Sequence, residues 1–183
     1  MFFSPEQLNL FLALGVVALQ GAAVILLVLF FLRTKPSVAP LLLFLKKRGL
    51  LVALLLTLGA IAVTLYHSTV VGILPCPLCY IQRIFLYPQA VLFALALWKR
   101  DSGIADYSIA LSIGGAAIAL YQHLLQMNVV SAAPCSVNGA DCAARIFFEF
   151  GYITYPLMAF SVFAFLIALM LHVRRGAHTV TAI

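Results

Sequence analysis

Four cysteines in two close pairs are the residues of this chain best suited to chemistry. Two residues separate Cys76 from Cys79, and six separate Cys135 from Cys142. Thiols at such spacings can be oxidised to a disulfide and reduced again by exchange with another thiol. Two redox pairs side by side are typical of an electron relay, so the elements that position them decide whether they can meet.

The composition predicts that these elements are membrane-spanning helices. Of the 183 residues, 65% are hydrophobic and 9% are charged, and the mean hydropathy is +1.15. One small water-soluble core could not bury so much apolar surface. A spanning helix needs about 20 apolar residues. Five stretches qualify: Leu8–Leu32, Gly49–Leu74, Ile81–Trp98, Tyr107–Met127 and Tyr152–Val173. The predicted fold class is therefore an all-α integral membrane protein.

The basic residues predict the orientation of the bundle. Nine of the eleven Lys and Arg residues follow the first, third or fifth span, and only Arg83 and Arg145 fall on the other side. Basic residues near span ends stay in the cytoplasm. We therefore expect the amino terminus and both cysteine pairs outside and the carboxyl terminus inside. This asymmetry accounts for the net charge of +6, so we predict no nucleic-acid surface.

The chain divides into three predicted parts. Residues 1–48 hold the N-terminal span and a basic cytoplasmic linker, residues 49–175 hold the other four spans and both cysteine pairs, and residues 176–183 are a cytoplasmic tail. The first span is expected to be a retained helix rather than a cleaved signal peptide, because Met1–Asn9 lacks Lys and Arg. Its mid-span Gln20 is expected to bond a neighbouring helix.

The position of Cys76 and Cys79 favours an ionised sulfur. Pro77 suits the first position of a helix, which makes Cys76 the N-cap and places Cys79 in the first turn of the third span. Both sulfurs then lie near the positive end of the helix dipole, and Arg83 follows Cys79 by one turn. These charges favour the thiolate in at least one cysteine, and a sulfur that leaves readily makes its disulfide more oxidising.

Two other interpretations of the cysteines stay open. A C-x-x-C pair can supply half of a zinc or copper site, although the spacing of Cys135 and Cys142 is wider than that of a usual second pair. The pairs could also be static structural disulfides, although so short a ring as that of Cys76 and Cys79 constrains the unfolded chain little. We predict no bound metal.

The loop that carries Cys135 and Cys142 is predicted to bring them together. Asn138-Gly139 is a strong turn signal, so this pair can also close a local disulfide. An exposed loop can move relative to a pair fixed on a helix, which makes exchange through a mixed disulfide feasible. The stretch 145–150 that follows is expected to lie in the membrane interface.

Polar side chains on three predicted spans fall at one depth near the first cysteine pair. They are His67, Gln82, Arg83, Gln122, His123 and Gln126. A lone His or Gln more often bonds a neighbouring helix, but ionisable groups that converge inside a membrane indicate a site. Beside a redox pair they predict a pocket for a lipid-soluble quinone, with Arg83 and His123 as donors to its carbonyls. The rings expected near it are Tyr80, Tyr87 or Tyr121.

These motifs resemble the quinone-coupled thiol oxidases of the DsbB/BdbC type. The resemblance covers roughly Gly49–Arg175. It rests on Cys-Pro-Leu-Cys followed by Tyr-Ile-Gln-Arg, on Tyr-Gln-His at 121–123, and on the short loop Pro134–Cys142, which is most similar to the BdbC branch. The family core is a four-helix bundle, so the resemblance does not explain residues 1–47.

The resemblance implies a two-stage relay in a bacterial inner membrane. A reduced thioredoxin-like partner of the DsbA type would attack the loop disulfide at Cys135, and Cys142 would then exchange with Cys76. Cys79 would pass the electrons to ubiquinone or menaquinone, while Arg83 stabilises the charge that forms. The implied cofactor is thus a membrane quinone, the site also includes Gln82, His67, Gln122 and His123, and the chain is expected to act as a monomer.

Two classes of protein compete with this hypothesis. A quinone reductase similar to vitamin K epoxide reductase also combines a four-helix bundle with a quinone, but in that family the loop cysteines precede the C-x-x-C, whereas here they follow it. A metal-binding or structural membrane protein would have static disulfides or bound metal. Titration of free thiols before and after addition of a quinone separates these cases.

Overall fold

Long apolar stretches fold as helices here because a helix satisfies every backbone hydrogen bond within the membrane. The computed structural model describes residues 5–33, 35, 38–131 and 141–177. It contains five helices: α1 (Pro5–Phe31), α2 (Ala39–Thr69), α3 (Pro77–Lys99), α4 (Ile104–Gln126) and α5 (Tyr155–Ala177). All five are long and apolar enough to cross a membrane. The described residues include no strand beyond one isolated bridge between Glu149 and Ile153. The predicted fold class is confirmed.

The last helix, α5, lies at the centre of the bundle. It packs against α1, α2 and α4, while α3 packs against α2 and α4. Phe163, Leu166 and Leu169 of α5 are fully buried and form the main core together with Phe93 of α3. Gly115 allows α4 to approach closely, because a Cβ atom at this position would overlap the ring of Phe163.

The second helix differs from its predicted span at both ends. It begins at Ala39 rather than Gly49 and ends at Thr69 rather than Leu74. Basic residues 46–48 therefore lie inside α2 and not in a linker, and the predicted part boundary after residue 48 falls within the helix. Lys and Arg are good helix formers whose apolar stems can lie along a hydrophobic surface, so charge alone does not end a helix.

The additional N-terminal helix is fixed to α5 by polar contacts. Gln20 Nε2 donates to Ser161 Oγ at 3.0 Å, and the Tyr152 hydroxyl donates to Gln20 Oε1 at 3.2 Å. Further along, His172 Nε2 donates to the carbonyl oxygen of Leu26 at 2.9 Å. The prediction that Gln20 bonds a neighbouring helix is confirmed.

The segment before α5 packs against α1 through one of its aromatic rings. Phe147 is buried in a small cluster with Ala13, Val16 and Ile153, whereas Phe148 is exposed. The position of the segment in the membrane interface stays a prediction. The ring of Phe147 finds an apolar site on α1, a contact that the sequence of the segment alone does not reveal.

Candidate active site

The first cysteine pair lies at the start of α3, as predicted. Cys76 is the N-cap with extended backbone (φ −73°, ψ 166°), and a proline occupies the first turn of the helix. Both thiols of the pair are free, and their Sγ atoms are 3.2 Å apart. The local sequence therefore positions two thiols close enough to form a disulfide.

A buried glutamine of α4 bridges the two sulfurs. Gln122 Nε2 lies 3.2 Å from Cys76 Sγ and 3.6 Å from Cys79 Sγ. Gln122 is 2% exposed, and its Oε1 accepts a hydrogen bond from Gln82 Nε2 at 2.7 Å. Gln82 thus orients the Gln122 amide so that its N–H groups point at the sulfurs, where they stabilise negative charge.

The two thiols differ in their tendency to ionise. The hydrogen bond that Cys76 shares with Cys79, together with burial, raises the pKa of Cys76 far above its usual range. Both causes oppose ionisation of Cys76, although Cys76 is the helix cap. The thiolate in at least one of the two cysteines stays a prediction.

Cys142 lies against the first pair. It is fully buried in one apolar cluster with Cys76 and Leu125, and Cys79 packs against the same cluster. Gln126, at the end of α4, donates to the carbonyl oxygen of Cys142 at 3.5 Å and to that of Ala144 at 3.0 Å. The sulfur of Cys142 is in a disulfide.

Part of the predicted loop lies outside the described residues. This part includes Cys135 and the predicted turn at Asn138-Gly139.

The cysteine pair borders a cavity of about 400 Å³ that lies between the helices. Its polar lining comes from Thr64, His67, Ser68, Cys76, Cys79, Gln82, Arg83, Gln122, Gln126, Asp141 and Tyr155. Its apolar lining includes Leu12, Val16, Leu19, Leu56, Ala60, Leu86, Val162 and Phe163. A space of this size with polar groups at one end and apolar walls is typical of a small-molecule site.

Arg83 has donors available at this cavity. Its Nη2 donates to the carbonyl oxygen of Thr64 at 3.1 Å and to Ser68 Oγ at 2.9 Å. Within the described part of the chain, Nε and Nη1 have no hydrogen-bond partner, and a guanidinium carries five N–H donors in all. The guanidinium also lies over the ring of Tyr80, 5.7 Å from the centroid.

His67 presents an acceptor rather than a donor. Its Nδ1 is 2.8 Å from the carbonyl oxygen of Val63, and a carbonyl can only accept, so Nδ1 carries the hydrogen. In a neutral imidazole Nε2 is then a proton acceptor. The ring packs edge-on against Tyr155, with centroids 5.1 Å apart.

Several predicted contacts are not at the cavity. His123 is not among its lining residues. Its Nδ1 lies 2.9 Å from Thr154 Oγ1, on the side of α4 that faces the start of α5. Tyr80 and Tyr121 are exposed, and the Tyr87 hydroxyl is 2.9 Å from Thr64 Oγ1.

Other residues reach the cavity that sequence reasoning did not single out. Tyr155 contributes an aromatic ring, Ser68 accepts a hydrogen bond from Arg83, and α1 supplies one wall. Tyr155 directly precedes Pro156 at the start of the last span, a signal that marks a helix start but not the direction of the ring.

Metal binding finds no support among the described residues. No group of three or more His, Cys, Asp and Glu side chains there could hold a metal ion.

Known proteins that are similar to this chain are disulfide formation proteins, in agreement with the two cysteine pairs of the site. The family model for disulfide bond formation protein DsbB matches residues 46–173. A probable disulfide formation protein of Metapseudomonas resinovorans is 33% identical over 127 residues, which are 68% of this chain and 85% of the relative.

Other relatives show similar coverage. A probable disulfide formation protein of Chlamydia caviae is 32% identical over 70% of this chain and 93% of its own length. Disulfide bond formation protein C of Bacillus subtilis is 34% identical over 65% of this chain and 84% of its own length. No solved structure matches the chain. The family match spans all of the helices α3 and α4, most of α2 and α5, and every cysteine, and so the chain belongs to the DsbB family of disulfide bond formation proteins.

Proposed function

We propose that this membrane protein forms disulfide bonds by oxidising a thioredoxin-like partner of the DsbA type and passing the electrons to a membrane quinone. The observation that carries the proposal is the free Cys76 and Cys79 pair, which borders a largely apolar cavity on one side and packs with Cys142 on the other. A pair in this position can exchange with a second disulfide and can also deliver electrons to an apolar acceptor.

The first exchange is with the partner protein. Cys142 is fully buried, so a protein thiol has no access to its sulfur. We propose that Cys142 is bonded to Cys135 and that the partner attacks Cys135. The partner leaves oxidised, the electron pair stays on the loop as two thiols, and Cys142 becomes the next nucleophile.

The second exchange is between Cys142 and the pair on α3. With Cys76 and Cys79 oxidised, the Cys142 sulfur attacks Cys76, its neighbour in the buried cluster, and Cys79 leaves. The helix N-terminus and the Gln122 amide stabilise the charge on the leaving sulfur. Attack by Cys135 on Cys142 then completes the loop disulfide and leaves both electrons on Cys76 and Cys79.

The cavity fits a quinone. When bound, a quinone supplies an acceptor for the two electrons and two protons that the dithiol loses on becoming a disulfide. Arg83 has donors for a carbonyl oxygen, and Nε2 of His67 can hold a proton. Gln82 and Gln122 act on the sulfurs instead. His123 is not part of the proposed quinone contact, since its Nδ1 bonds Thr154 Oγ1.

The test is quinone-dependent oxidation of a reduced thioredoxin-fold protein by the purified chain. We expect the wild type to reduce one quinone per partner dithiol and Cys79→Ser to reduce none, because it lacks the sulfur that leaves in the second exchange. Undiminished turnover in Cys79→Ser would falsify the relay.

A further inference from the structure

The first helix makes one wall of the cavity, although it lies outside the residues that match the family. Phe11, Leu12, Gly15, Val16 and Leu19 all line the cavity. Their spacing of three or four residues along the chain places them on one face of α1. A bundle of α2–α5 alone would leave this side of the cavity open to lipid.

The cavity changes in character along its length. Near Cys79 and Arg83 the lining of the cavity is polar. Along α2 the lining continues from His67 to Leu56. The eleven residue steps from His67 to Leu56 correspond to roughly 16 Å at about 1.5 Å per residue. The far end is bounded by Leu19, Leu56 and other apolar side chains. A ligand that fills the space thus has a polar head at the sulfurs and an apolar extension beside α1.

Gly15 leaves the space that such an extension needs. A Cβ atom at Gly15 would meet no atom within 4 Å, and Leu12 and Leu19, a turn away on each side, also line the cavity. Gly21 lies on the same helix and also has open space around it, but it is not among the cavity-lining residues. The two glycines therefore provide a matched pair.

We propose that α1 is the binding surface for the apolar tail of the lipid-soluble quinone and that the tail occupies the space beside Gly15. This inference rests on the proposed function. The continuity of this space with the cysteine pair identifies the occupant, because a ligand whose head reaches Cys79 has its tail here. The bonds of Gln20 to Ser161 and of His172 to Leu26 hold the wall in place.

The experiment compares two quinones that share a ring, one without a tail and one with a decyl tail. Binding to the full-length oxidised protein is measured as the ligand-induced rise in unfolding temperature, which needs no electron transfer. We expect Gly15→Leu to raise the half-saturating concentration of the decyl quinone about tenfold, since a few methylene groups of lost space have effects of this size. Gly15→Ala fills less space and should give a smaller shift in the same direction.

Gly21→Leu is the control and should bind both quinones as the wild type does. The inference is overturned if Gly15→Leu and Gly21→Leu bind the decyl quinone equally well. It is also overturned if the wild type binds both quinones with the same affinity, as expected if a lipid chain fills the space. Failure of the proposed function looks different: the reduced wild type would then be oxidised by neither quinone.

Discussion

Two buried polar clusters join α3 to α4, and only one of them borders the cavity. The sulfur cluster consists of Cys76, Cys79, Gln82 and Gln122. The serine cluster consists of Gln89, Ser108 and Ser112, in which both hydroxyls donate to Gln89 Oε1, at 2.8 and 3.2 Å.

Burial does not mark the site, because the serine cluster is the more buried of the two and Cys79 is only partly buried. All three members of the serine cluster are fully buried, and Gln89 Nε2 bonds the carbonyl oxygen of Phe85 at 3.0 Å. None of them lines the cavity, whereas all four members of the sulfur cluster do. A polar group between membrane helices thus often only links them. It becomes part of a site where it also borders a cavity and contacts a reactive atom.

The comparison is tested most severely by Gln122→Leu. The change removes the amide that donates to both sulfurs and leaves Gln82 Nε2 without its acceptor. A hydrogen bond to a charged group is worth about 1.5–3 kcal/mol, so the turnover at saturating quinone should fall by roughly tenfold or more. Unchanged turnover would show that this amide only links the helices.

Arg83→Ala should have a smaller effect, on quinone binding rather than on the sulfurs. Loss of the guanidinium removes donors from the cavity, so the KM for quinone should rise by up to about tenfold while all four cysteines remain in place. Arg145→Ala is the control, because Arg145 stacks on Phe148 and does not line the cavity. Equal quinone kinetics in the two variants would remove Arg83 from the site.

Gln89→Leu should have the smallest effect on activity. It removes interhelical bonds that are worth about 0.6 kcal/mol each in membrane proteins, so the unfolding free energy should fall by about 1 kcal/mol. The KM for quinone should equal that of the wild type when both are assayed well below their unfolding temperatures. A raised KM with unaltered stability would contradict the distinction between the two clusters.

The local features of this chain could be predicted from its sequence. Span length and hydropathy gave the five helices, and Pro77 gave the start of α3, because both depend on neighbouring residues alone. The start of α2 could not be predicted in this way. The basic residues at 46–48 predict a linker, yet they are compatible with a continuing helix.

The direction in which each side chain leaves its helix explains why some predicted site residues reach the cavity and others do not. Gln122 and His123 are neighbours in sequence, and successive residues of a helix point about 100° apart. Only the packing of α4 against α3 and α5 decides that Gln122 faces the sulfurs and His123 faces Thr154. The cavity wall on α1 depends in the same way on contacts with α5, for which a single sequence holds no signal.

The most direct test of the account uses a variant in which only the first pair can react. Cys135→Ser/Cys142→Ser retains Cys76 and Cys79, and the fully reduced variant is mixed without oxygen with one equivalent of quinone. Free thiols are then trapped, and the disulfide is identified by mass spectrometry. We predict that one Cys76–Cys79 disulfide forms for each quinone reduced. Two free thiols beside unreduced quinone would contradict the account.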